Sequence, residues 1–266
     1  MLTIQEFFQS HNNIVVITGA GISTASGIPD YRDANGDWKH SQPMQHNDFV
    51  SNERSRQRYW ARSALGRERF KGARPNAAHN ALARLEATGK VSMLITQNVD
   101  GLHQSAGSQK VIELHGALDQ VVCLACKHRI ARDQVQQYLM QNNPFLQQLT
   151  AIALPDGDTQ FEQTDFSIVD IPQCTHCGGI LKPDVVFYGD GVPVERVQSC
   201  IEALDRAEAL LVVGSSLMVF SGYRFARYAH EKGLPIAAIN LGVTRADALL
   251  SLKVEADCGE VLAGVV

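Results

Sequence analysis

No apolar stretch in this 266-residue chain reaches the roughly 18 residues that a membrane-crossing helix needs, so no membrane role is expected. Surplus positive charge is missing too: 24 Lys and Arg stand against 28 Asp and Glu, a formal net charge of −4. Proteins that hold nucleic acid through its phosphates need the opposite balance, and no nucleic-acid partner is expected. The one local exception is residues 54–74, where Arg54, Arg56, Arg58, Arg62, Arg67, Arg69, Lys71 and Arg74 face a single acid, Glu68. Residues 1–13 lack the basic start and long apolar middle of an export leader. A cytoplasmic, reducing setting follows as an expectation, and there six cysteines favour metal over disulfides. Repeats and low-complexity tracts are also lacking.

What is present is a strand–helix alternation. Four apolar, β-rich runs read as buried parallel strands: 14–18, 91–96, 209–213 and 235–239. Each runs into a polar or glycine-bearing turn, and helical patterns lie between them at 76–88 and 194–207, the first closed by Gly89. The fold class is therefore α/β, a Rossmann-like doubly wound parallel sheet that sets the four turns along one carboxyl edge. Residues 1–38, 85–120 and 181–266 are assigned to it. A helical insertion, 39–84, and a zinc-binding module, 121–180, make up a smaller inserted domain. Within the latter, 141–173 reads as a long loop-like stretch with turn signals.

Cys123-Leu-Ala-Cys126 and Cys174-Thr-His-Cys177 carry the most specific chemistry. Two CxxC knuckles supply four thiolates for one tetrahedral zinc and leave no open coordination position, so the metal is structural. Such a site contributes roughly 10–16 kcal/mol of folding free energy. The competing reading is unrelated reduced cysteines or a redox dithiol. His128 and His176 read as bystanders.

Gly19-Ala20-Gly21-Ile22-Ser23 follows a buried strand, as a phosphate-binding turn does, yet Thr24 occupies the place of the third fingerprint glycine. A plain tight turn is the alternative. Gly214-Ser215-Ser216 and Asn240-Leu241-Gly242 follow two other strands and favour a dinucleotide along that edge. Gln97-Asn98-Val99-Asp100 puts amides and a carboxylate at a third strand end, where the plain alternative is a helix cap by Asp100. His115 closes the run VIELH beside Gly116. Taken with the other turns, it is a candidate proton acceptor.

GAGIST, GIPDYR, TQNVDGLH, the His-Gly pair, both CxxC knuckles, LKPDVVFYGD, VVGSSL and INLG occur in the order found in sirtuins. The chain resembles that family over nearly its whole length. YWAR and SGYRFA are similar to its class II branch, which includes the mitochondrial lipoamidase-type sirtuins. Tyr31 and Val99 depart from the commonest residues of the family motifs, and the loop 153–170 stays unassigned.

The resemblance implies an NAD-dependent protein-lysine deacylase that consumes NAD and carries one structural zinc on Cys123, Cys126, Cys174 and Cys177. Gly19, Ala20, Gly21, Ser23, Thr24, Asp30, Tyr31 and Arg32 would form the cofactor loop. Gln97, Asn98 and Asp100 would position ribose and carboxamide. Gly214, Ser215, Ser216, Asn240, Leu241, Gly242 and Cys258 would serve the adenosine side, and His115 would be the base. Val185, Val186, Phe187 and Gly189 resemble the segment that pairs with substrate backbone. Tyr59 and Arg62 share a helix face and resemble the grip on an acidic acyl tail, the plain alternative being a solvated helix with its tyrosine packed inward. Acyl-lysine proteins or peptides are the expected partners, and the chain is expected to be a monomer. Protein ADP-ribosyl transfer, a non-catalytic zinc module and a dehydrogenase are the competing functions, the last opposed by the missing third glycine.

Overall fold

The computed structural model describes residues 3–39, 43–149, 152–153, 159–160 and 165–265. The chain divides into two compact units. The first comprises Met1–Ser41, Ala73–Leu114 and Val192–Val266; the second comprises Gln42–Gly72 and His115–Gly191. Elements are numbered along the chain.

In the first unit β1 (Ile14–Thr18), β2 (Val91–Thr96), β3 (Val111–Glu113), β9 (Ala209–Val213), β10 (Ile236–Ile239) and β11 (Leu252–Val254) form a six-stranded sheet. Its order is β11-β10-β9-β1-β2-β3, and every pairing is parallel. Alternate residues of β1 enter different cores. Ile14 and Val16 pack with α1 (Ile4–Ser10), α4 (Ala77–Ala87) and α9 (Cys258–Ala263). Val15 and Ile17 pack with α7 (Val194–Asp205) and α8 (Phe220–Glu231). Helices thus cover both faces, which is why these strands read as unbroken apolar runs instead of alternating ones. Each aliphatic side chain so buried contributes about 1.5–3 kcal/mol.

The expected strands and the doubly wound sheet are all present, with β3 and the short β11 added at the two edges. Gly89 ends α4 as anticipated. Its φ is +79°, and the following Lys90 amide reaches back to the Leu85 carbonyl at 3.0 Å. The turn after β1 is a 3-10 helix (Ala20–Ser26). β1 lies between β2 on one side and β9 on the other, so its carboxyl end is the topological switch point of the sheet.

The second unit holds α2 (His46–Ser51), α3 (Glu53–Gly72) and α6 (Arg132–Asn142). An antiparallel sheet of order β5-β4-β8 joins β4 (Gly116–Cys123), β5 (Arg129–Ala131) and β8 (Leu181–Val185). A two-stranded ribbon pairs β6 (Ile152–Ala153) with β7 (Thr159–Gln160). Its core gathers Phe49, Tyr59, Trp60, Val121, Val135, Leu139 and Leu181 with Cys123 and Cys174.

The stretch 141–173 is more structured than its turn signals suggest. It contains the end of α6, a 3-10 turn (Pro144–Gln148) and the ribbon, although 154–158 and 161–164 of the unassigned loop lie outside the described residues. Helix α6 itself escaped the sequence reading because its buried stripe is only Arg132, Val135 and Leu139. One member of that stripe is charged. Among the described residues no helix is long and apolar enough to cross a membrane.

Candidate functional site

In the first unit the turns following β1, β2 and β9 are joined by hydrogen bonds at the carboxyl edge. Ser23, 1% exposed, donates its hydroxyl to Asp100 Oδ2 at 2.7 Å and accepts from Asn98 Nδ2 at 3.1 Å. Asn98 Nδ2 also reaches the Gly19 carbonyl at 3.1 Å. Gln97 Nε2 donates to the Thr18 carbonyl at 3.1 Å and to Ser215 Oγ at 2.8 Å. The other Asp100 oxygen accepts the Leu102 amide at 2.9 Å, opening α5 (Leu102–Ser105). The N-cap of α5 is Gly101, not Asp100, which bonds the Leu102 amide from one position outside the cap and presents its carboxylate at the strand end.

The glycines lock two of these turns together. The Gly21 amide donates to the Gly214 carbonyl at 2.9 Å, and a Cβ on Gly21 would lie 2.9 Å from that oxygen. Gly214 has φ +57°, and a Cβ there would lie 2.3 Å from the Ile22 nitrogen. Only backbone fits between them. Thr24, in the third-glycine place, turns its hydroxyl to the Gly21 carbonyl at 3.0 Å.

The remaining residues expected at this edge fall into two further groups. In residues 30–39 Arg32 Nη1 donates to the Gly36 carbonyl at 2.6 Å, and its guanidinium lies 3.9 Å from the Trp38 ring centroid. Tyr31 meets the same indole edge-on, and Asp30 pairs with Lys39 at 2.6 Å. Trp38, the shared packing partner, was not singled out in the sequence. The second group follows β10: Asn240 Nδ2 holds the Leu241 carbonyl at 3.1 Å, and Leu241 is 65% exposed. Cys258 opens α9, its thiol pushed up to about 12 by burial and thus held protonated. Ser216 holds the Arg245 amide through its carbonyl at 2.8 Å.

Beneath this edge is a pair the sequence reading missed, His79 and His103, both fully buried, with ring centroids 4.8 Å apart. Thr18 Oγ1 donates to Thr96 Oγ1 at 2.9 Å, so in its 3.0 Å contact with His103 the Nε2–H donates. His79 Nδ1 accepts the Asn76 amide at 3.4 Å. Only an apolar helix face around His79 could have flagged them (Ala78, Ala81, Leu82 and Leu85 are its buried companions on α4).

Burial, then the neighbouring His79, pushes His103 down to about 3; burial also lowers His79. The unfolded chain takes up a proton near pH 6.5 that the folded state refuses until about pH 3. The stability this pair contributes is therefore complete above pH 6.5 and lost as pH falls. Urea midpoints should show a loss of about 2 kcal/mol between pH 7 and pH 5 from one such histidine. His103→Gln should flatten that slope, and an unchanged slope in the variant would reject the assignment.

The second unit, taken by itself, holds the cysteine cluster. The four sulfurs of Cys123, Cys126, Cys174 and Cys177 all lie within 4.8 Å of one another. Cys123–Cys177 and Cys126–Cys174 are each separated by 3.6 Å, close to the edge of about 3.8 Å that a tetrahedron with 2.3 Å zinc–sulfur bonds requires.

The two knuckles repeat one geometry. The residue after each second cysteine is left-handed, Lys127 at φ +62° and Gly178 at +69°. Its amide returns to the first cysteine's carbonyl, at 3.0 and 2.8 Å. Each first cysteine's amide then bonds the carbonyl two beyond its partner, His128 or Gly179, at 2.9 Å. Amide donation, chiefly from Cys126, pulls the Cys123 thiol down to about 6, while against the His128 amide the neighbouring sulfurs, Cys177 foremost, and burial push Cys126 up to about 12. This donor set fits a structural zinc. His128 and His176 stack on each other at 3.9 Å and are not among the four clustered ligands.

His115 begins the second segment of the second unit, half-buried, its carbonyl accepting the Val186 amide at 2.8 Å. The next residue, Gly116, has φ +84°, and a Cβ there would lie 2.0 Å from the Asp184 carbonyl oxygen, so the turn admits only glycine. Val185 ends β8, and Val186, Phe187 and Gly189 continue from it toward the β-bridge between Tyr188 and Gln45. Tyr59, on α3, is 1% exposed and packs with Phe49, Trp60 and Phe187 at 5.2–5.4 Å. Arg62, one turn on, is half-buried.

Residues 19–221 match the profile of the Sir2 family. A Bordetella bronchiseptica protein named NAD-dependent protein deacetylase is 55% identical over 263 residues, spanning 99% of this chain and 96% of that protein. A protein of the same name from Xanthomonas campestris pv. campestris is 54% identical over 260 residues, spanning 98% and 89%. Among solved structures, one described as Sir2 with p53 peptide and NAD+ superposes with a TM-score of 0.78 at 31% identity, covering 99% of this chain and 97% of that one.

Proposed function

The chain belongs to the Sir2 family, and from that membership we infer that it is an NAD-dependent protein-lysine deacylase that consumes NAD as a co-substrate. One observation carries the reading of the site: Ser23, Gln97, Asn98 and Asp100 are hydrogen-bonded together with the glycine turns at the switch-point edge. A hydride enzyme has no need of that polar set, and a non-catalytic zinc module has none either.

Ala20, Gly21, Ser23, Asp30, Tyr31 and Arg32 then form the loop around NAD. Asn98 and Asp100, fixed by Ser23, orient the ribose and the carboxamide, with Gln97 on the ribose. Gly214, Ser215, Ser216, Asn240, Leu241, Gly242 and the Cys258 backbone serve the adenosine end. NAD supplies an electrophilic ribose carbon: the acyl oxygen of the modified lysine bonds to it as the bond to nicotinamide breaks. His115 takes a proton from a ribose hydroxyl, since imidazole is the side chain that exchanges protons near neutral pH. The deprotonated hydroxyl oxygen would bond to the acyl carbon, and the lysine amine would leave with a proton. Water would add to that carbon as its bond to the anomeric oxygen breaks, leaving the acyl group as an ester on ADP-ribose. Val185, Val186, Phe187 and Gly189 hold the substrate main chain by strand pairing.

A finer preference belongs to the same proposal. Phe187 packs on the buried ring of Tyr59, and Arg62 lies three residues from Tyr59 on α3. This combination suits acyl groups bulkier than acetyl, including those ending in a carboxylate. Mass spectrometry of acetyl-, lipoyl- and glutaryl-lysine peptides incubated with NAD tests both levels. Peptide-dependent O-acyl-ADP-ribose is the expected product, with glutaryl turned over faster than acetyl. Arg62→Ala should cut the glutaryl rate roughly tenfold or more. Fastest turnover of acetyl, indifferent to Arg62→Ala, rejects the preference. Label from NAD left on protein, without peptide dependence, would indicate ADP-ribosyl transfer instead.

A further inference from the structure

We propose that Lys182 is a positioning residue for the substrate, its buried ammonium clamping the segment 185–190, an extended run that closes in a turn at Gly189, so that its free edge is set for a peptide main chain to pair with. The inference rests on the deacylase reading above, which gives that segment its partner.

Lysine is among the side chains least often buried, yet Lys182 is 5% exposed. It sits inside β8, in register with Val122 of β4, where a cation must find partners or pay the cost of desolvation. Three of its partners belong to the short segment that follows. Nζ donates to the carbonyl of Val185, lies 3.4 Å from Asp190 Oδ2, and stands 4.5 Å from the centroid of the Phe187 ring. One charge thus touches both ends and the middle of a six-residue stretch. His46 Nδ1 lies 3.1 Å from the same carboxylate oxygen, without hydrogen-bond geometry.

The backbone of the segment is fixed on one side only. Val186 donates to the His115 carbonyl at 2.8 Å, Tyr188 accepts the His46 amide at 2.8 Å, and Asp190 returns to the Phe187 carbonyl at 3.0 Å. The Phe187 and Gly189 amides donate to no group among the described residues, leaving one donor in the extended part for an added strand and one in the turn that ends it, where Gly189 has φ +79°. Phe187 also touches the buried Phe49 and Tyr59 at 5.3 and 5.2 Å, so the clamp ties the pairing edge to the core of the unit. The chemistry recognised is a main chain in extended form beside an acylated lysine. No side-chain sequence is specified.

Lys182→Met keeps the length of the side chain and removes the charge. With an acetyl-lysine peptide and NAD, its peptide KM should rise roughly tenfold, while the NAD KM and kcat stay within about twofold. Lys182→Arg, which keeps a cation, should recover most of the peptide affinity. Hydrogen–deuterium exchange gives an activity-independent reading: amides 186–190 should exchange faster in Lys182→Met while α3 and α6 keep their protection. A lower kcat at unchanged peptide KM, or exchange unchanged at 186–190, overturns the proposal. Faster exchange throughout the second unit does so too, since it marks a merely structural lysine. Should Lys182→Met not fold, Asp190→Asn removes one of the three anchors and should raise peptide KM about threefold; an unchanged value there is equally fatal. Failure of the deacylase reading would appear elsewhere, as no peptide-dependent nicotinamide release by the unaltered protein, and the exchange measurement would still decide the clamp.

Discussion

Replacing Cys174 with serine should strip the metal from the protein and unfold the unit built from Gln42–Gly72 and His115–Gly191. The unaltered chain should carry one zinc, measured by plasma mass spectrometry, and the variant close to none. The size of the effect follows from where the cysteines sit. Cys123 and Cys174 belong to the same buried cluster as Tyr59, Trp60 and Leu181, so the metal ties both knuckles directly into the core of the unit. Losing a structural zinc removes on the order of 10 kcal/mol, comparable with the whole stability of an ordinary domain. Chelation should reproduce the loss in the unaltered protein. Two controls separate ligand from bystander: Cys200→Ser, buried on α7, and His176→Ala should both retain stoichiometric zinc. Full metal content in Cys174→Ser would show that the four sulfurs do not act as one site.

His115→Ala should lower NAD-dependent acyl removal by about 10²–10⁴-fold, the usual contribution of a positioned general base. The fold should survive. The bond that His115 makes to β8's continuation runs through its backbone carbonyl, which alanine keeps, and the demanding steric position belongs to Gly116. Zinc content and urea midpoint should therefore match the parent, and NAD affinity should change little, because His115 meets only a ribose hydroxyl while the other proposed NAD contacts lie elsewhere. Activity within tenfold of the parent would remove His115 from the chemistry. Inactivity accompanied by loss of zinc would instead assign it a structural part.

Legibility differed by element for physical reasons. β1, β2, β9 and β10 could be read because a parallel strand covered on both faces is apolar along nearly its whole length, and IVVIT or ALLVV suit no solvent-facing alternative. The zinc knuckles could be read because ligand chemistry resides in residue type and in a two-residue spacer. Helix α6 could not be, because one of its three buried positions is Arg132. That guanidinium lies 5.2 Å from the Trp60 ring centroid and hydrogen-bonds Ser63 and Gln136. Tyr59 had two readings in sequence; its packing against Phe49, Trp60 and Phe187 selects the inward one for the ring and leaves the acyl preference to experiment.

By itself the sequence determined the strand–helix alternation, the four metal-binding sulfurs and the polar residues at the strand ends. Each of these depends on neighbours a few positions away or on the chemistry of the side chain alone. Tertiary structure decided which polar groups are buried and what they hold. His79 and His103 acquire Asn76 and Thr18 as partners, and the left-handed Gly214 closes against Ile22 across a gap that no side chain could enter. Lys182 becomes a clamp only once the chain has turned back through Asp190. Burial of a charge or an imidazole is set by groups brought together from distant segments, and no local pattern encodes that meeting.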